Sequence, residues 1–171
     1  MIHRPAAWAQ PVTIPGVPNM FKVNEFLYRS AQPTWKGMQN LEKFGIRTII
    51  NLRWLHSDKD ELKGTYLNYK TCRAKAWHIE NEDVIWFLRI ITNMCNGVCK
   101  DNVPFLVHCQ HGADRTGCMV AMYRIVVQGW TREEALKELE EGGFGYHSIW
   151  QNIPKYLRRV NVDKIKAGIG K

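Results

Sequence analysis

The most constraining feature of this sequence is a run in which an apolar strand passes directly into a short loop and then into an apolar helix. Residues 104–108 form a short, apolar predicted strand that leads without a break into the loop at 109–112. Residues 116–128 are apolar enough to predict a buried helix, and Gly129 ends it. In an α/β domain, ligands bind where strands end and helices begin, so this junction is the candidate site.

The rest of the chain alternates strands and helices in the same way. Strands are predicted over 25–29, 46–52 and 66–71, and helices over 34–44, 84–95, 131–141 and 148–160. This order predicts an α/β fold with a small, mostly parallel central sheet covered by helices on both faces. Residues 1–20 hold four of the seven prolines. They predict an extended N-terminal arm that drapes over the body or stays mobile, ahead of a single domain over 21–171.

The composition indicates a folded, basic protein. The 171 residues are 45% hydrophobic and carry 24 Lys and Arg against 16 Asp and Glu, a formal charge of +8. Such a charge favours anionic partners. The sequence contains no run of five or more like charges of the kind that indicates a nucleic-acid-binding tail. No apolar stretch of 18 residues exists, so no transmembrane segment is predicted. We expect a monomer that does not bind nucleic acid.

The five cysteines do not indicate a disulfide scaffold, because their number is odd and their spacing irregular. Cys95 and Cys99 could form a metal or redox pair, although two ordinary half-buried thiols are the simpler interpretation. Cys118 is expected to pack in the core, one helical turn into the buried helix.

Cys109 lies at the start of the loop, where the chemistry concentrates. A thiolate is a strong nucleophile, and loop N–H groups, a helix N-terminus and the Arg115 guanidinium all stabilise negative charge there. Gly112 allows a tight turn, and Arg115 offers a planar fork for two phosphate oxygens. Thr116 can donate its hydroxyl to the sulfur when a covalent intermediate breaks down. His108 is expected to orient the loop rather than to act as a base.

Residues 109–115, called here the signature loop, are expected to bind phosphate without a metal ion. The backbone N–H groups of such a loop can converge on an anion. The expected phosphate-binding residues are Gln110, His111, Gly112, Ala113, Asp114 and Arg115. His108, Cys109 and His111 are too closely spaced for a tetrahedral zinc site, and no second ligand pair follows. We predict no metal and no cofactor.

The same residues carry a resemblance to a known family. His108-Cys109, five further residues and Arg115-Thr116 match the H-C-x5-R-T signature of protein tyrosine and dual-specificity phosphatases. The compact dual-specificity-like phosphatases of bacteria are similar over roughly residues 8–165, including L-Y-R-S-A-Q-P-T (27–34), F-G-I-R-T-I-I-N-L-R (44–53), Y-R-I-V-V-Q-G-W (123–130) and E-G-G-F-G (141–145). The resemblance implies the cysteine-phosphatase fold, a phosphocysteine intermediate and no metal. It also implies that Cys72 could form a protective disulfide with Cys109 under oxidation, as partner thiols do in some phosphatases.

The resemblance also implies a substrate class and a location. It implies hydrolysis of phosphomonoesters, with phosphotyrosine or phosphoserine and phosphothreonine on proteins as substrates. The positive charge also fits a polyphosphorylated small molecule such as an inositol phosphate. The remaining alternatives are a module that captures phosphate without turnover and a sulfur or arsenate oxidoreductase. Some similar bacterial enzymes are exported and regulate biofilm signalling, so we expect a periplasmic enzyme whose signal peptide was removed, with a cytoplasmic one as the alternative.

The resemblance leaves open which residue protonates the leaving oxygen. The family usually uses an Asp about 25–35 residues before the nucleophile, but here that position falls near Trp77 or His78. Asp114, Glu80 and His78 are the candidates, and the myotubularin lipid phosphatases carry an Asp at the place of Asp114. The alternatives are an ion pair of Asp114 with Arg115 or a nearby histidine, a helix-dipole role for Glu80, and an ordinary loop histidine at 78.

Four further side chains could border the pocket. Arg53 ends a predicted strand and could hold substrate phosphate, or it could simply lie on the surface. Trp77, Tyr146 and Trp150 could form walls of the pocket, although an aromatic residue more commonly packs in the core.

Overall fold

The computed structural model of the chain describes residues 4–93 and 103–170. Cys95 and Cys99 lie outside the described residues, as does the end of the helix predicted over 84–95. The strands are β1 (Gln10–Pro11), β2 (Phe21–Lys22), β3 (Leu27–Ser30), β4 (Thr48–Asn51), β5 (Asn68–Thr71) and β6 (Phe105–His108). The helices are α1 (Trp35–Phe44), α2 (Asn81–Asn93), α3 (Asp114–Val126), α4 (Arg132–Glu141), α5 (Asn152–Arg159) and α6 (Val162–Gly168).

The six strands form one sheet in the order β1-β2-β3-β6-β4-β5. Strands β3, β6, β4 and β5 are parallel to one another, and β1 and β2 add to them as an antiparallel edge. β6 lies between β3 and β4, with His108 level with Ser30 on one side and Asn51 on the other. The mostly parallel sheet expected from the sequence is confirmed, and Cys109 leaves it at the carboxyl end of a central strand.

Successive residues of the central strands point to opposite faces of the sheet, and an apolar core lies on each face. Ile49 and Leu106 face α1 and pack with Met38 and Leu41 of that helix. The residues that follow them in β4 and β6 face the larger core, which α2, α3, α4, α5 and α6 complete. α3 lies inside this core, because every residue of it except Arg115 is buried. Both faces of the sheet are therefore covered, as predicted.

Residues in the region predicted as an N-terminal arm pack against the rest of the described chain. Ala9, Val17 and Met20 are buried, and Gln10–Pro11 pairs with Phe21–Lys22 in the sheet. No helix among residues 4–93 and 103–170 is both long and apolar enough to cross a bilayer.

Two helix boundaries follow the local signals in the sequence. The Thr34 side chain accepts a hydrogen bond from the N–H of Gly37 at the start of α1, and Gly45 ends this helix at φ +114°. Thr131 and Glu134 form the predicted capping box of α4, in which each side chain accepts from the other residue's backbone N–H.

The C-terminal helix differs from the prediction of one helix over 148–160. α5 begins only at Asn152, because Pro154 lacks the N–H that would bond to the Trp150 carbonyl one turn earlier. A separate seven-residue helix, α6, then begins after Asn161, whose side chain accepts from the N–H of Lys164. The periodicity missed α6 because seven residues give too few repeats to define a face.

Candidate active site

Cys109 lies at the junction of β6 and α3, with 1% of its surface exposed. The signature loop turns immediately after β6, and α3 already begins at Asp114. Helix α3 therefore starts two residues earlier than predicted. As a result Asp114, Arg115 and Thr116 all lie in its first turn, where free backbone N–H groups favour an anion.

Gly112 fits the signature loop tightly against the end of β3. Its φ is +69°, a conformation that side chains disfavour, and a Cβ here would collide with the backbone of Ser30 and Ala31. The N–H of Gln32 donates to the carbonyl of Gln110 at 3.2 Å. The segment after β3 thus supports the loop from below through backbone contacts.

Arg29 is a site residue that the sequence analysis did not identify. It is fully buried in β3, and its Nη2 donates to the carbonyl of Gly112 at 2.8 Å. Its guanidinium carbon lies 3.7 Å from the ring centroid of Phe144. Burial lowers the pKa of Arg29 to about 10, while the nearby Glu138 and Cys109 oppose this shift. The signal available in the sequence was a charged residue inside an otherwise buried strand.

His108 is held by Asp58, a second residue that the sequence analysis missed. The two side chains are fully buried, and His108 Nε2 lies 2.6 Å from Asp58 Oδ2. Gln32 Nε2 donates to the other Asp58 oxygen at 2.9 Å. Burial opposes ionisation, but the hydrogen bonds from His108 and Gln32 and the nearby His56 outweigh it, so the pKa of Asp58 is lowered. This arrangement fits the orienting role expected for His108.

Arg115 and Thr116 carry polar atoms that the protein itself does not satisfy. Within residues 4–93 and 103–170, Arg115 Nε and Thr116 Oγ1 are buried without a hydrogen-bond partner. Buried polar groups are usually paired, and an exception needs a functional explanation. A guanidinium and a hydroxyl in this position, beside free helix N–H groups, are suited to an anion with several oxygen atoms.

A second guanidinium, that of Arg53, lies close to the same pocket. Arg53 Nη1 donates to Gln32 Oε1 at 2.9 Å, so the side chain turns toward the signature loop rather than lying on the surface. Burial lowers the pKa of Arg53, and the positive charge of Arg115 lowers it further, whereas Asp58 and Cys109 oppose the shift. The contact with Gln32, whose N–H donates to the carbonyl of Gln110, links Arg53 to the signature loop.

Asp114 is bound on both carboxylate oxygens by His147. The backbone N–H of His147 donates to Oδ1 at 2.9 Å, and the ring Nδ1 lies 2.8 Å from Oδ2, to which it donates when it carries a proton. The rings of His111 and His147 meet edge to face with centroids 5.0 Å apart. The neighbouring-histidine alternative considered for Asp114 is thus what the structure shows, and His147 is a third residue the sequence analysis missed.

His78 and Glu80, the other two acid candidates, interact with each other. Both are exposed and face each other, with His78 Nε2 3.4 Å from Glu80 Oε1. His78 borders a groove of about 400 Å³ that it shares with Trp77, Asn152 and Lys155. Among the described residues, neither side chain has a hydrogen bond or ion pair with the signature loop.

The three aromatic residues that could border the pocket divide between surface and core. Trp77 is exposed and packs against Trp54 with ring centroids 5.1 Å apart. Tyr146 and Trp150 pack against the larger core, and the Tyr146 hydroxyl donates to the Trp150 carbonyl at 2.7 Å. Of these three aromatic residues, Trp77 alone has an exposed side chain.

Two further cysteines of the described residues, Cys72 and Cys118, are free buried thiols. Burial, together with the nearby Asp83, raises the pKa of each thiol to about 12. Cys72 Sγ also donates a hydrogen bond to Asp83 at 3.6 Å. Both thiols stay protonated at neutral pH, and neither is placed to serve as a nucleophile.

One group of residues offers three possible metal ligands. Side-chain atoms of His56, Asp58 and Glu61 lie within 4.8 Å of one another. His56 Nε2 lies 3.4 Å from Asp58 Oδ1 and 3.1 Å from Glu61 Oε1, which is a hydrogen-bonding arrangement around one imidazole. This network adds a second histidine beside the Asp58 carboxylate that holds His108.

Comparison with known proteins gives the same assignment over most of the chain. The family model of the dual specificity phosphatase catalytic domain matches residues 27–152. The chain is 32% identical over 166 residues to the dual specificity protein phosphatase TpbA of Pseudomonas aeruginosa (strain UCBPP-PA14), covering 97% of this chain and 72% of TpbA. A crystal structure of a cysteine-to-serine TpbA variant in complex with pTyr matches with a TM-score of 0.85 at 30% identity, over 99% of both chains.

Relatives with inositol-phosphate names are also similar, at lower identity. Inositol diphosphatase DSP5 of Arabidopsis thaliana is 28% identical over 134 residues, which cover 72% of this chain and 61% of that protein. The core catalytic domain of the PP-IP phosphatase SIW14 from S. cerevisiae matches with a TM-score of 0.74 at 21% identity, over 91% of this chain and 93% of the other. At 21% identity the likeness concerns the fold alone.

Proposed function

This chain belongs to the dual specificity phosphatase family, and we propose that it hydrolyses phosphotyrosine in proteins, with Cys109 as the nucleophile. The observation that carries the proposal is the signature loop. It places Cys109 beside the first turn of α3 and beside the unpaired Arg115 Nε and Thr116 Oγ1. The TpbA structure in complex with pTyr, at a TM-score of 0.85, supports phosphotyrosine as the substrate group.

The geometry supports a two-step transfer. Cys109 Sγ attacks phosphorus while Arg115 and the loop N–H groups bind the equatorial oxygens. The bond from phosphorus to the leaving oxygen breaks, that oxygen takes a proton, and a phosphocysteine remains. Water then attacks phosphorus, the S–P bond breaks with its electron pair going to sulfur, and the Thr116 hydroxyl stabilises the departing thiolate by a hydrogen bond.

A second substrate class, inositol polyphosphates and diphosphates, is favoured by Arg53. Its guanidinium is linked to the signature loop through Gln32, and the charge of Arg115 lowers its pKa, so two cations could bind two phosphate groups of one small molecule. Lys75 adds positive charge on a neighbouring loop, where its Nζ lies 4.4 Å from the ring centroid of Trp54. The similarity to DSP5, named as an inositol diphosphatase, points in the same direction.

A substrate panel separates the two classes. Phosphate release would be measured with phosphotyrosine, phosphoserine and phosphothreonine peptides beside a diphosphoinositol polyphosphate. We expect the highest kcat/KM with phosphotyrosine peptides, and a higher value with the diphosphoinositol polyphosphate would replace this proposal by the second one. Arg53→Gln should lower kcat/KM for the polyphosphate more than for phosphotyrosine if Arg53 binds a second phosphate group.

The nucleophile is tested in the same assay. Cys109→Ser should lower turnover of every substrate by about 10³-fold or more, since the hydroxyl is a far weaker nucleophile than the thiolate. Cys72→Ala is the matched control, because the Cys72 thiol is buried and protonated. Turnover by Cys109→Ser at the rate of the unmodified enzyme would refute the phosphocysteine mechanism.

Location in the periplasm stays a prediction, and fractionation of cells that express the natural gene tests it.

A further inference from the structure

We propose that His147, oriented by Asp114, is the general acid that protonates the leaving oxygen. This proposal rests on the phosphatase chemistry at Cys109 and does not depend on which phosphomonoester is the natural substrate. It assigns a catalytic residue outside both the signature loop and the loop 74–83, where sequence comparison would place the acid.

Asp114 is placed to orient the ring of His147. Its side chain is only 7% exposed, Oδ1 accepts a hydrogen bond from the His147 N–H, and Oδ2 lies 2.8 Å from the ring Nδ1. When the ring is protonated, Nδ1–H donates to Oδ2, and both carboxylate oxygens then accept from His147. An ionised Asp114 in this arrangement stabilises the imidazolium and has no proton of its own to give.

The imidazole of His147 has one nitrogen facing Asp114 and one available to substrate. In the protonated ring, Nδ1–H donates to Asp114 and fixes the orientation of the imidazole, and Nε2–H is the proton available for transfer. The side chain is 47% exposed, so substrate can reach it. Its other ring contact is His111, which, like Asp114, belongs to the signature loop. The imidazole therefore lies at the rim of the loop that binds the phosphoryl group.

The segment that carries His147 is anchored to the signature loop. Asn19 Nδ2 donates at 2.9 Å both to the carbonyl of His111 and to that of Phe144. The Phe144 ring packs between the Arg29 guanidinium and the ring of Phe21, whose centroid is 4.7 Å away. The same buried Arg29 binds the carbonyl of Gly112, so one side chain holds both segments in register.

The other candidates make no hydrogen bond or ion pair with the signature loop among the described residues. His78 and Glu80 are exposed and pair with each other, and His78 borders the groove that Lys155 shares. Neither has a partner within the described part of the chain that would fix a ring or carboxyl group over the signature loop. Of the groups considered, His147 alone combines an orienting carboxylate with contact to that loop.

The proton balance of the two steps is closed. As Cys109 Sγ attacks and the P–O bond breaks, Nε2–H of the His147 imidazolium gives its proton to the leaving oxygen, and the ring becomes neutral. In the second step Nε2 accepts a proton from the water that attacks phosphorus, and the S–P bond breaks to regenerate the thiolate. Asp114 stabilises the imidazolium before and after the cycle, so no further reactant is needed.

Leaving-group dependence tests the proposal. p-Nitrophenolate leaves well without a proton, whereas phenolate needs one. We expect His147→Gln to lower kcat/KM for phenyl phosphate by about 100-fold, within the usual range for a general acid, and for p-nitrophenyl phosphate by less than about fivefold. Equal losses with the two substrates would indicate a structural role, and no loss with either would also refute the proposal.

Neighbouring variants serve as matched controls in the same assay. His111→Gln should change both substrates by the same factor, because this histidine supports the loop without donating a proton. His78→Gln and Glu80→Gln should keep the wild-type ratio between the substrates, and a loss selective for phenyl phosphate in either would overturn the assignment. Asp114→Asn should give a smaller selective loss than His147→Gln, and the reverse order would assign the proton to Asp114.

A pre-steady-state burst measurement tests this proposal separately from the role of Cys109 as the nucleophile. The burst of p-nitrophenolate should persist in His147→Gln and disappear in Cys109→Ser, whichever natural substrate the panel identifies. Loss of the burst in His147→Gln, with an unchanged melting temperature, would show that this histidine serves the nucleophile and not the leaving group. His147→Asn repeats the test with a shorter side chain at this half-exposed position.

Discussion

At the scale of single residues, we expect Arg115 to bind phosphate through geometry as well as charge. Its guanidinium is half-buried at the start of α3, and its Nε has no hydrogen-bond partner among the described residues. A lysine keeps the positive charge but lacks the planar pair of donors that matches two phosphate oxygens. The position therefore separates the contribution of charge from that of orientation.

We expect Arg115→Lys to lower kcat/KM for p-nitrophenyl phosphate by about 10²-fold to 10³-fold, the usual loss when one preorganised donor is removed. Arg47→Lys is the matched control, because Arg47 is exposed and lies before β4. Steady-state kinetics measure both variants. A loss below about threefold in Arg115→Lys would show that charge alone suffices at this position.

Asp58 gives the stability of the fold a defined dependence on pH. Hydrogen bonds from His108 and Gln32 outweigh its burial and hold the pKa of Asp58 below its ordinary value of 3.8. A carboxyl whose pKa is lowered by folding stabilises the folded state above its unfolded value. That stabilisation is lost as the pH falls below 3.8 toward the lower value in the folded state.

Melting temperatures recorded from pH 7 down to pH 3 and below test this expectation. The wild-type protein should lose stability below about pH 4 more steeply than Asp58→Asn, which has no carboxyl to protonate. Asp60→Asn is the control, since Asp60 lies two residues away and its side chain is 86% exposed. Parallel curves for wild type and Asp58→Asn would contradict the prediction.

At the scale of secondary-structure elements, β3 is the support of the signature loop. Gly112 packs directly on its last residue, and the fully buried Arg29 binds the Gly112 carbonyl. A buried guanidinium under a loop that must bind an anion also adds positive potential at Cys109. The strand therefore contributes to function although it contains none of the predicted site residues.

Arg29→Lys should lower both activity and stability. The ammonium cannot reproduce the planar contact with Phe144 or the fork that reaches Gly112. We expect kcat/KM to fall by about 10-fold to 100-fold through misplacement of the loop, and the free energy of unfolding to fall by about 2 kcal/mol. Kinetics and chemical denaturation measure these effects, and wild-type values for both would contradict the proposed role of β3.

At the scale of the whole molecule, one buried ion pair connects the helices with the N-terminal arm. Arg124 of α3 donates to both carboxylate oxygens of Glu138 in α4, at 2.9 and 2.8 Å. One of these oxygens also accepts from the N–H of Ala9 at 2.7 Å. Arg124 and Glu138 are each 2% exposed, so neither charge can be compensated by water if its partner is removed.

Glu138→Ala should destabilise the fold by about 3–5 kcal/mol, because it leaves the Arg124 charge buried and unpaired. Glu140→Ala, at an exposed position of the same helix, should change stability by about 0.5 kcal/mol at most. Denaturant unfolding measures both. Limited proteolysis should also cut the arm faster in Glu138→Ala, and an unchanged arm together with unchanged stability would refute this connection.

The sequence by itself determined the features that depend on neighbouring residues. The junction of β6, the signature loop and α3 follows from an apolar run, a glycine and a second apolar run, and the caps at Thr34 and Thr131 follow from side chains within one turn. The phosphatase family was predictable for the same reason, since its signature is contiguous in the chain.

Only the tertiary structure decided how that loop is completed. Arg29 lies 83 residues from Gly112, Asp58 lies 50 residues from His108, and His147 lies 33 residues from Asp114. Contacts over such separations depend on the order of the strands and the packing of the helices, which no local pattern encodes. The sequence therefore predicted the nucleophile and the arginine expected to bind phosphate, whereas the fold supplied the side chains that orient the loop and the histidine proposed to move the proton.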